Sequence, residues 1–145
     1  MERGGKIIRY AAMILLLPAA CRAEESCPWL NAATAGGVLG GEVTSHIDGN
    51  ICVFTHNSSQ LRIEVQAVNL PYKASCEPNP TPLKAIGNEG LACSVDDKSG
   101  SISEQVVGRV RDRAFFIRLT SNNIARAALR EKARSVAEQV AGILF

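Results

Sequence analysis

The stretch that most constrains the fold is Gln105–Leu144, in which two predicted strands lead directly into one long predicted helix. Apolar and polar residues alternate on either side of a turn at Asp112–Arg113. A period of two on both sides of a turn is typical of a β-hairpin with one buried face. The residues that this pattern turns inward are Val106, Gly108 and Val110 before the turn and Phe115, Ile117 and Leu119 after it.

The predicted helix carries one apolar row and one charged row along its length. The apolar row advances in steps of three and four residues and consists of Leu129, Ala133, Val136, Val140 and Ile143. The charged row on the opposite side consists of Arg126, Arg130, Arg134 and Glu138. A hairpin and a helix that each have one apolar face bury those faces against each other, so we expect this helix to pack on the sheet.

The preceding part of the chain predicts a short helix and further strands. Asn31 is a favourable N-cap, and Gly40–Gly41 supplies a left-handed turn at which the helix ends. Proline at three alternate positions predicts that Pro71–Pro82 is an exposed loop outside the sheet. Alternating patterns indicate strands at Val43–Asp48, Ile51–His56, Leu61–Asn69 and Leu91–Val95.

Together these elements predict one α+β domain over residues 24–145. We expect an antiparallel sheet of five to six strands, with the short N-terminal helix and the long C-terminal helix packed on it. A chain of about 122 residues is long enough to bury the core of one such domain.

Residues 1–23 have the pattern of a secretory signal peptide. Three basic residues precede an apolar run that is far shorter than the ~20 residues needed to span a bilayer. We favour cleavage after Ala23, because small residues occupy the positions that precede such a cut. The alternative is an imperfect lipobox that ends in Cys21, whose lipidation would then provide the chain's attachment to a membrane.

The cysteines predict two disulfides. Of five cysteines, Cys21 is removed with the signal peptide or consumed by the lipid, and an even set of four remains. Four cysteines allow three pairings. The predicted inward position of Cys52 on its strand favours a bond to Cys27, because a helix packed on the sheet brings the two together. Cys76 and Cys93 flank the proline-rich loop, and a bond between them would stabilise the fold by about 3 kcal/mol.

Charge is divided unevenly along the chain. Removal of residues 1–23 leaves 12 basic and 13 acidic residues, a net charge of about −1, so we expect no nucleic-acid partner. Residues 105–145 nevertheless hold 8 basic residues against 3 acidic ones. Arg109, Arg111 and Arg118 are expected to share the outward face of the hairpin, a candidate binding face for an acidic protein, a ligand or an envelope component. The interpretation that we favour pairs these arginines with Glu64 and other acids on a solvated sheet surface, or places them beneath another strand.

Catalytic and metal-binding motifs are weak in this sequence. His46 and His56, the two histidines, are predicted to lie on opposite faces of their hairpin and therefore not to share a metal ion. His46 and Asp48 lie two residues apart on one strand face, where a carboxylate can orient an imidazole. A polar outer face is the commoner origin of such a pair. We therefore expect no metal and no cofactor.

Several short motifs resemble those of small, uncharacterised bacterial exported domains, many of them lipoproteins. These motifs are Cys27-Pro28-Trp29-Leu30-Asn31, Val38-Leu39-Gly40, Cys52 with an aromatic residue at Phe54, and Ile86-Gly87-Asn88-Glu89-Gly90 in place of the family's Gly-Asp-Glu-Ala turn. The resemblance implies a disulfide-bearing α+β domain that binds or senses something at the cell envelope. It implies no catalytic residues for this chain.

Two functional hypotheses follow from the sequence. The first is an exported binding or interaction module, periplasmic or attached to the cell envelope, without chemistry of its own. The second is a small extracytoplasmic enzyme or metal-binding protein that uses His46 and Asp48 or the arginine face. A polar, shallow surface would favour the first, and a concave site with polar groups around one perturbed pKa would favour the second.

The signal-peptide interpretation makes a direct prediction about the mature protein. Protein isolated from its native host should begin at Glu24, because cleavage follows Ala23. Intact-mass spectrometry measures this directly. A mature chain that begins at a diacylated Cys21 would contradict the prediction and support the lipoprotein alternative.

Overall fold

The computed structural model describes residues 25–96 and 98–145. The predicted signal peptide and the alternative lipidation site Cys21 lie outside these residues. Within the described part of the chain, no helix has the length and apolar character needed to cross a membrane. The elements in chain order are α1 (Ala32–Leu39), β1 (Thr44–Asp48), β2 (Ile51–His56), β3 (Ser59–Ala67), β4 (Thr81–Pro82), β5 (Glu89–Asp96), β6 (Ile102–Val110), β7 (Arg113–Ser121) and α2 (Arg126–Leu144).

The strands form one antiparallel sheet in the order β1-β2-β3-β7-β6-β5-β4. The α+β class, the short N-terminal helix and the long C-terminal helix are confirmed, but the described sheet has seven strands and not five to six. The additional strand is β4, which pairs with Leu91 and Ala92 at the end of the segment that was predicted to be a loop. Proline is tolerated there because β4 is an edge strand, whose outward side needs no N–H donor.

Both helices pack on the same face of the sheet, which we call the inner face. Helix α2 contacts β6 and β7, and α1 contacts β2 and β3. The alternation of the strands divides their side chains between this face and the opposite, outer face. The centre of the core consists of the cross-strand pairs Leu61–Leu119, Ile63–Ile117 and Val65–Phe115, all of them buried.

Gly108 makes room for a buried phenylalanine at the centre of the inner face. Its cross-strand partner Phe115 is fully buried and lies against the glycine backbone. A Cβ atom at position 108 would lie 2.4 Å from Phe115 Cζ and 2.5 Å from the carbonyl oxygen of Glu89. Any side chain at position 108 would therefore displace Phe115 from the core.

Helix α1 begins and ends where the sequence predicts. The side-chain oxygen of Asn31 accepts a hydrogen bond from the backbone N–H of Thr34 at 2.8 Å, and Gly40 ends the helix with a φ of 94°. Lys132 of α2 donates a hydrogen bond to the carbonyl oxygen of Val38 at 2.9 Å. This bond satisfies one carbonyl at the end of α1 and joins the two helices.

The two disulfides have the predicted pairing, Cys27 with Cys52 and Cys76 with Cys93. The first joins the segment before α1 to the inner face of β2, with a Cα–Cα distance of 5.9 Å. The second joins the loop after β3 to β5, with a Cα–Cα distance of 6.1 Å. Two disulfides are consistent with an oxidising compartment outside the cytoplasm.

The second disulfide holds the loop of residues 68–80 against the outer face, and we call this segment the stapled loop. A small apolar cluster forms beneath it, separate from the main core. The cluster consists of Ala74, Cys76, Cys93 and Val107, with Tyr72, Leu91 and Phe116 around them. The stapled loop therefore covers the outer face over β5 and β6, whereas Arg62 of β3 and Arg118 of β7 remain exposed.

Helix α2 buries most of its predicted apolar row, but the prediction for Ile143 is wrong. The buried residues are Leu129, Ala133, Val136, Ala137, Val140 and Ala141. Ile143 is 57% exposed. It lies two heptads after Leu129, and a straight α-helix drifts by roughly 20° per heptad, so this position has rotated away from the sheet. Leu144 is half-buried at the end of the helix instead.

The packing of α2 predicts a large difference between two neighbouring substitutions. Val140→Asp would place an unpaired carboxylate at a fully buried position, and we expect a loss of about 3 kcal/mol or more in the free energy of unfolding. Glu138 is exposed, and its ion pair with Arg134 lies within the same helix. Glu138→Ala should therefore change the free energy of unfolding by no more than about 0.5 kcal/mol.

Urea denaturation of both variants, with the disulfides intact, measures these two changes. Equal stability of Val140→Asp and the parent chain would contradict the position of α2 on the sheet.

Candidate functional site

A groove runs along α2 on the inner face of the sheet, on the side toward β4. Its walls are α2, the inner faces of β5 and β6, and residues 78–83, which include β4. Helix α2 packs mainly on β6 and β7, so the inner face of β5 is left open beside it. The groove has a volume of about 360 Å³.

The groove has an apolar floor and a polar rim. The floor consists of Leu83, Ala92, Val106 and Ala133, which are buried or half-buried. The exposed rim consists of Asn79 and Thr81 on one side and Arg130, Glu131 and Arg134 of α2 on the other. A partly apolar molecule that also carries polar groups matches this arrangement.

A buried carboxylate, that of Glu104, lies at one end of the groove. Glu104 stands on the inner face of β6 and its side chain is only 2% exposed. Its Oε1 atom accepts hydrogen bonds from the Ser94 hydroxyl at 2.7 Å and from Arg126 Nη1 at 3.2 Å. Its Oε2 atom lies 3.6 Å from Arg130 Nε. A buried charge is tolerated when it is paired and hydrogen-bonded in this way.

The two arginines that face Glu104 come from the first turns of α2, four residues apart on one side of the helix. Arg126 also pairs with Asp96 at the end of β5, and this hydrogen bond raises the pKa of Arg126 above its ordinary value. Arg130 also donates a hydrogen bond to the Ser94 hydroxyl at 3.2 Å. The network therefore ties the start of α2 to two strands and holds Arg130 at the rim of the groove.

Chemically, this network is suited to binding and positioning. The carboxylate of Glu104 accepts from Ser94 and Arg126 and faces Arg130, so these contacts fix its position at the groove. The guanidinium groups of Arg130 and Arg134 are about half exposed and can donate to a molecule in the groove.

Glu104 was missed in the sequence, although a signal for it is present. It precedes Val106 and Val110 at even spacing, so the alternation places it on the core face of β6. A carboxylate at a core position requires a partner. Arg126 and Arg130, four residues apart on the helix that packs on this face, are the partners that the pattern offers.

The two histidines lie on opposite faces of the β1–β2 hairpin, as predicted. His46 is exposed on the outer face. His56 is half-buried, and its Nδ1 atom lies 2.8 Å from the carbonyl oxygen of Glu42 while its Nε2 atom lies 3.2 Å from the amide of Asn57. The ring of His56 also packs against Gly41, where a Cβ atom would lie 2.4 Å from Cε1. These contacts give His56 a structural role.

His46 and Asp48, the pair named in the enzyme hypothesis, lie on the exposed outer side of the edge strand β1. They are outside the groove. Among the described residues, no group of three or more His, Cys, Asp or Glu side chains is placed to hold a metal ion.

The predicted arginine face is only partly correct. Arg109 and Arg118 share the outer face, but Arg111 lies in the turn with a φ of 55° and does not continue the strand alternation. The turn that was predicted at Asp112–Arg113 begins one residue earlier, which explains the difference. Arg109 lies 4.0 Å from Glu89 and donates a hydrogen bond to the carbonyl oxygen of Arg111 at 2.7 Å.

Tyr72 in the stapled loop has a perturbed pKa but lies away from the groove. Partial burial of Tyr72 against the small apolar cluster raises the pKa of its hydroxyl above the ordinary value of 10.0, and the negative charge of Glu89 adds to this effect. Both residues are on the outer side of the sheet. The raised pKa therefore reflects the packing of the stapled loop.

Comparison of the chain with protein-family models, with curated proteins and with solved structures gives no match.

The position of Glu104 predicts that its charge matters more for stability than the charge of an exposed glutamate. Glu104→Gln leaves Arg126 and Arg130 facing a neutral amide at a buried site, and we expect a loss of about 2 kcal/mol in the free energy of unfolding. Glu64 on the outer face is paired with Arg62 at 3.2 Å. Glu64→Gln should cost no more than about 1 kcal/mol.

Both glutamates lie in strands and face arginine, so Glu64→Gln is a matched control for Glu104→Gln. Urea denaturation with intact disulfides measures the two losses. Equal losses in the free energy of unfolding would show that the ion pairs of Glu104 with Arg126 and Arg130 contribute no more to stability than an exposed ion pair does.

Proposed function

We propose that this chain is an exported binding module that holds a small, partly apolar organic molecule in the groove beside α2. The observation that carries the proposal is the groove itself. Its volume of about 360 Å³ lies within the range of roughly 300–1,000 Å³ that is usual for small-molecule sites. Its walls come from a helix, two strands and residues 78–83, which begin at the end of the stapled loop.

Rigid walls support a binding role. Residues 78–83 form one wall, and they are held on one side by the Cys76–Cys93 disulfide and on the other by the pairing of β4 with β5. The opposite wall, the first half of α2, is held by the Glu104 network. A site whose walls are already fixed loses little conformational entropy when a ligand binds.

Export is supported by the sequence and is consistent with the disulfides. Residues 1–23 have the basic start and short apolar run of a signal peptide. Two disulfides are typical of a protein from an oxidising compartment. We place the protein in the periplasm or outside the cell, with lipidation at Cys21 as the alternative form of attachment.

The alternative function is a small extracytoplasmic enzyme or metal-binding protein. The groove is concave, as this hypothesis requires, but His46 and Asp48 lie outside it on an exposed edge strand. Within the groove, donors already surround the buried carboxylate of Glu104. An enzyme site brings its reactive groups together in the cavity where the substrate sits, so this arrangement favours binding over catalysis.

The proposal can be tested with three probes of equal size, namely benzoate, benzamide and benzylamine. At least one of them should bind the parent chain and shift the backbone amide resonances of Ala92, Ser94 and Arg130 in two-dimensional NMR spectra. Thr81 is exposed on the rim, and Thr81→Trp should fill the groove and lower the affinity for the same probe at least tenfold.

Thr44→Trp is the matched control, because Thr44 is also an exposed threonine on an edge strand but lies at the far side of the sheet. It should leave the affinity for the probe unchanged. If all probes leave the groove resonances unmoved, or if Thr81→Trp binds like the parent chain, the groove is not a ligand site.

A further inference from the structure

The outer face places two residues of like charge directly opposite each other at the centre of the sheet. Arg62 of β3 and Arg118 of β7 are cross-strand partners in the antiparallel ladder. Both side chains are exposed, on a part of the outer face that the stapled loop leaves open. Strand β7 is the middle strand of the seven, so the pair lies far from either edge.

This arrangement is unfavourable for the folded protein by itself. Like charges on directly opposite residues destabilise an antiparallel sheet. Sequences commonly break such a local rule at functional positions. An anionic group bound between the two guanidinium groups would remove the repulsion.

Neighbouring side chains hold the two arginines in place. Arg62 donates a hydrogen bond from Nη2 to Glu64 at 3.2 Å. Gln105 of β6, with its amide oxygen oriented toward Arg118, accepts from Arg118 Nε at 2.8 Å. A depression of about 190 Å³ lies among these residues, and the half-buried ring of Phe116 is part of its lining.

We propose that the Arg62–Arg118 pair is a docking site for the carboxylate side chains of an acidic segment in a partner protein. Each guanidinium presents a planar set of donors that matches a carboxylate in two-point contact. The depression is too small for a whole organic ligand but has room for one or two carboxyl groups. This site is on the opposite face from the groove and does not depend on it.

The charges of the outer face favour a protein carboxylate over a membrane surface. The face carries Arg62, Arg109 and Arg118 together with the acids Asp48, Glu64 and Glu89. Binding to an anionic bilayer relies on clusters of several basic residues without compensating acids. A balanced face instead acts through direct contact between one arginine pair and one or two acidic groups.

The test compares two charge reversals on the same strand. Arg118→Glu places an opposite charge across from Arg62 on the outer face. Arg113→Glu makes the same change at an exposed end of β7, at a position in the same alternation as the inner-face residues. The probe is a hexaglutamate peptide, titrated calorimetrically at low ionic strength. We expect Arg118→Glu to weaken its binding at least tenfold and Arg113→Glu to weaken it no more than about twofold.

A melting experiment provides the second readout. Arg118→Glu should melt about 2 to 5 °C above the parent chain at low salt, because it replaces a like-charged pair with an opposite one. Arg62→Gln is a milder variant that also removes the repulsion, and it should lower the affinity for the hexaglutamate peptide several-fold. Thr81→Trp, which fills the groove, should bind the peptide like the parent chain.

Three results would overturn the inference. The first is equal peptide binding by Arg118→Glu and Arg113→Glu. The second is a lower melting temperature for Arg118→Glu than for the parent chain, since the pair would then not be a source of repulsion. The third is binding of the parent chain to phosphatidylglycerol vesicles without binding to hexaglutamate, which would assign the face to lipid.

Discussion

The alternation of strand β7 is the constraint on which the rest of the structure depends. Its buried residues Phe115, Ile117 and Leu119 pair with apolar residues of β3 on one side and with the inner face of β6 on the other. A shift of one residue in this register would send the apolar set to the outer face. Both helices pack on the inner face that this register defines, so the groove and the open arginine pair follow from it.

The same register explains why α2 meets a carboxylate in the core. Glu104 pairs across the ladder with Leu119 and with Ser94, so it is fixed on the inner face between an apolar neighbour and a hydroxyl. Arg126 and Arg130 then become necessary at the start of α2, because a buried carboxylate without partners would cost several kcal/mol. Such a network determines the rotation and position of α2 more closely than the apolar row alone, since an apolar row tolerates small shifts.

The sequence was informative wherever one local rule decided the outcome. Alternation placed the inward residues of the strands, the side-chain cap at Asn31 and the positive φ of Gly40 bounded α1, and the pairing of the cysteines followed from faces and loops. The sequence was less informative where contacts between distant parts of the chain determine the structure. Strand β4 exists because two residues happen to lie along the edge of β5, and the groove exists because α2 leaves β5 uncovered. A sequence pattern does not encode either of these placements directly.

The stapled loop connects the two surfaces that we assign to binding. Its buried side covers the outer face over β5 and β6 and packs against Val107. Val107 also lines the depression beside Arg62 and Arg118. Immediately after Cys76 the chain passes the edge of the sheet and becomes a wall of the groove on the inner face. One disulfide thus limits the motion of structures on both faces, because Cys93 lies on β5, whose inner face lines the groove and whose outer face the stapled loop covers. The sheet itself separates the two sites, so a ligand in the groove and an acidic segment on the outer face would not compete for space.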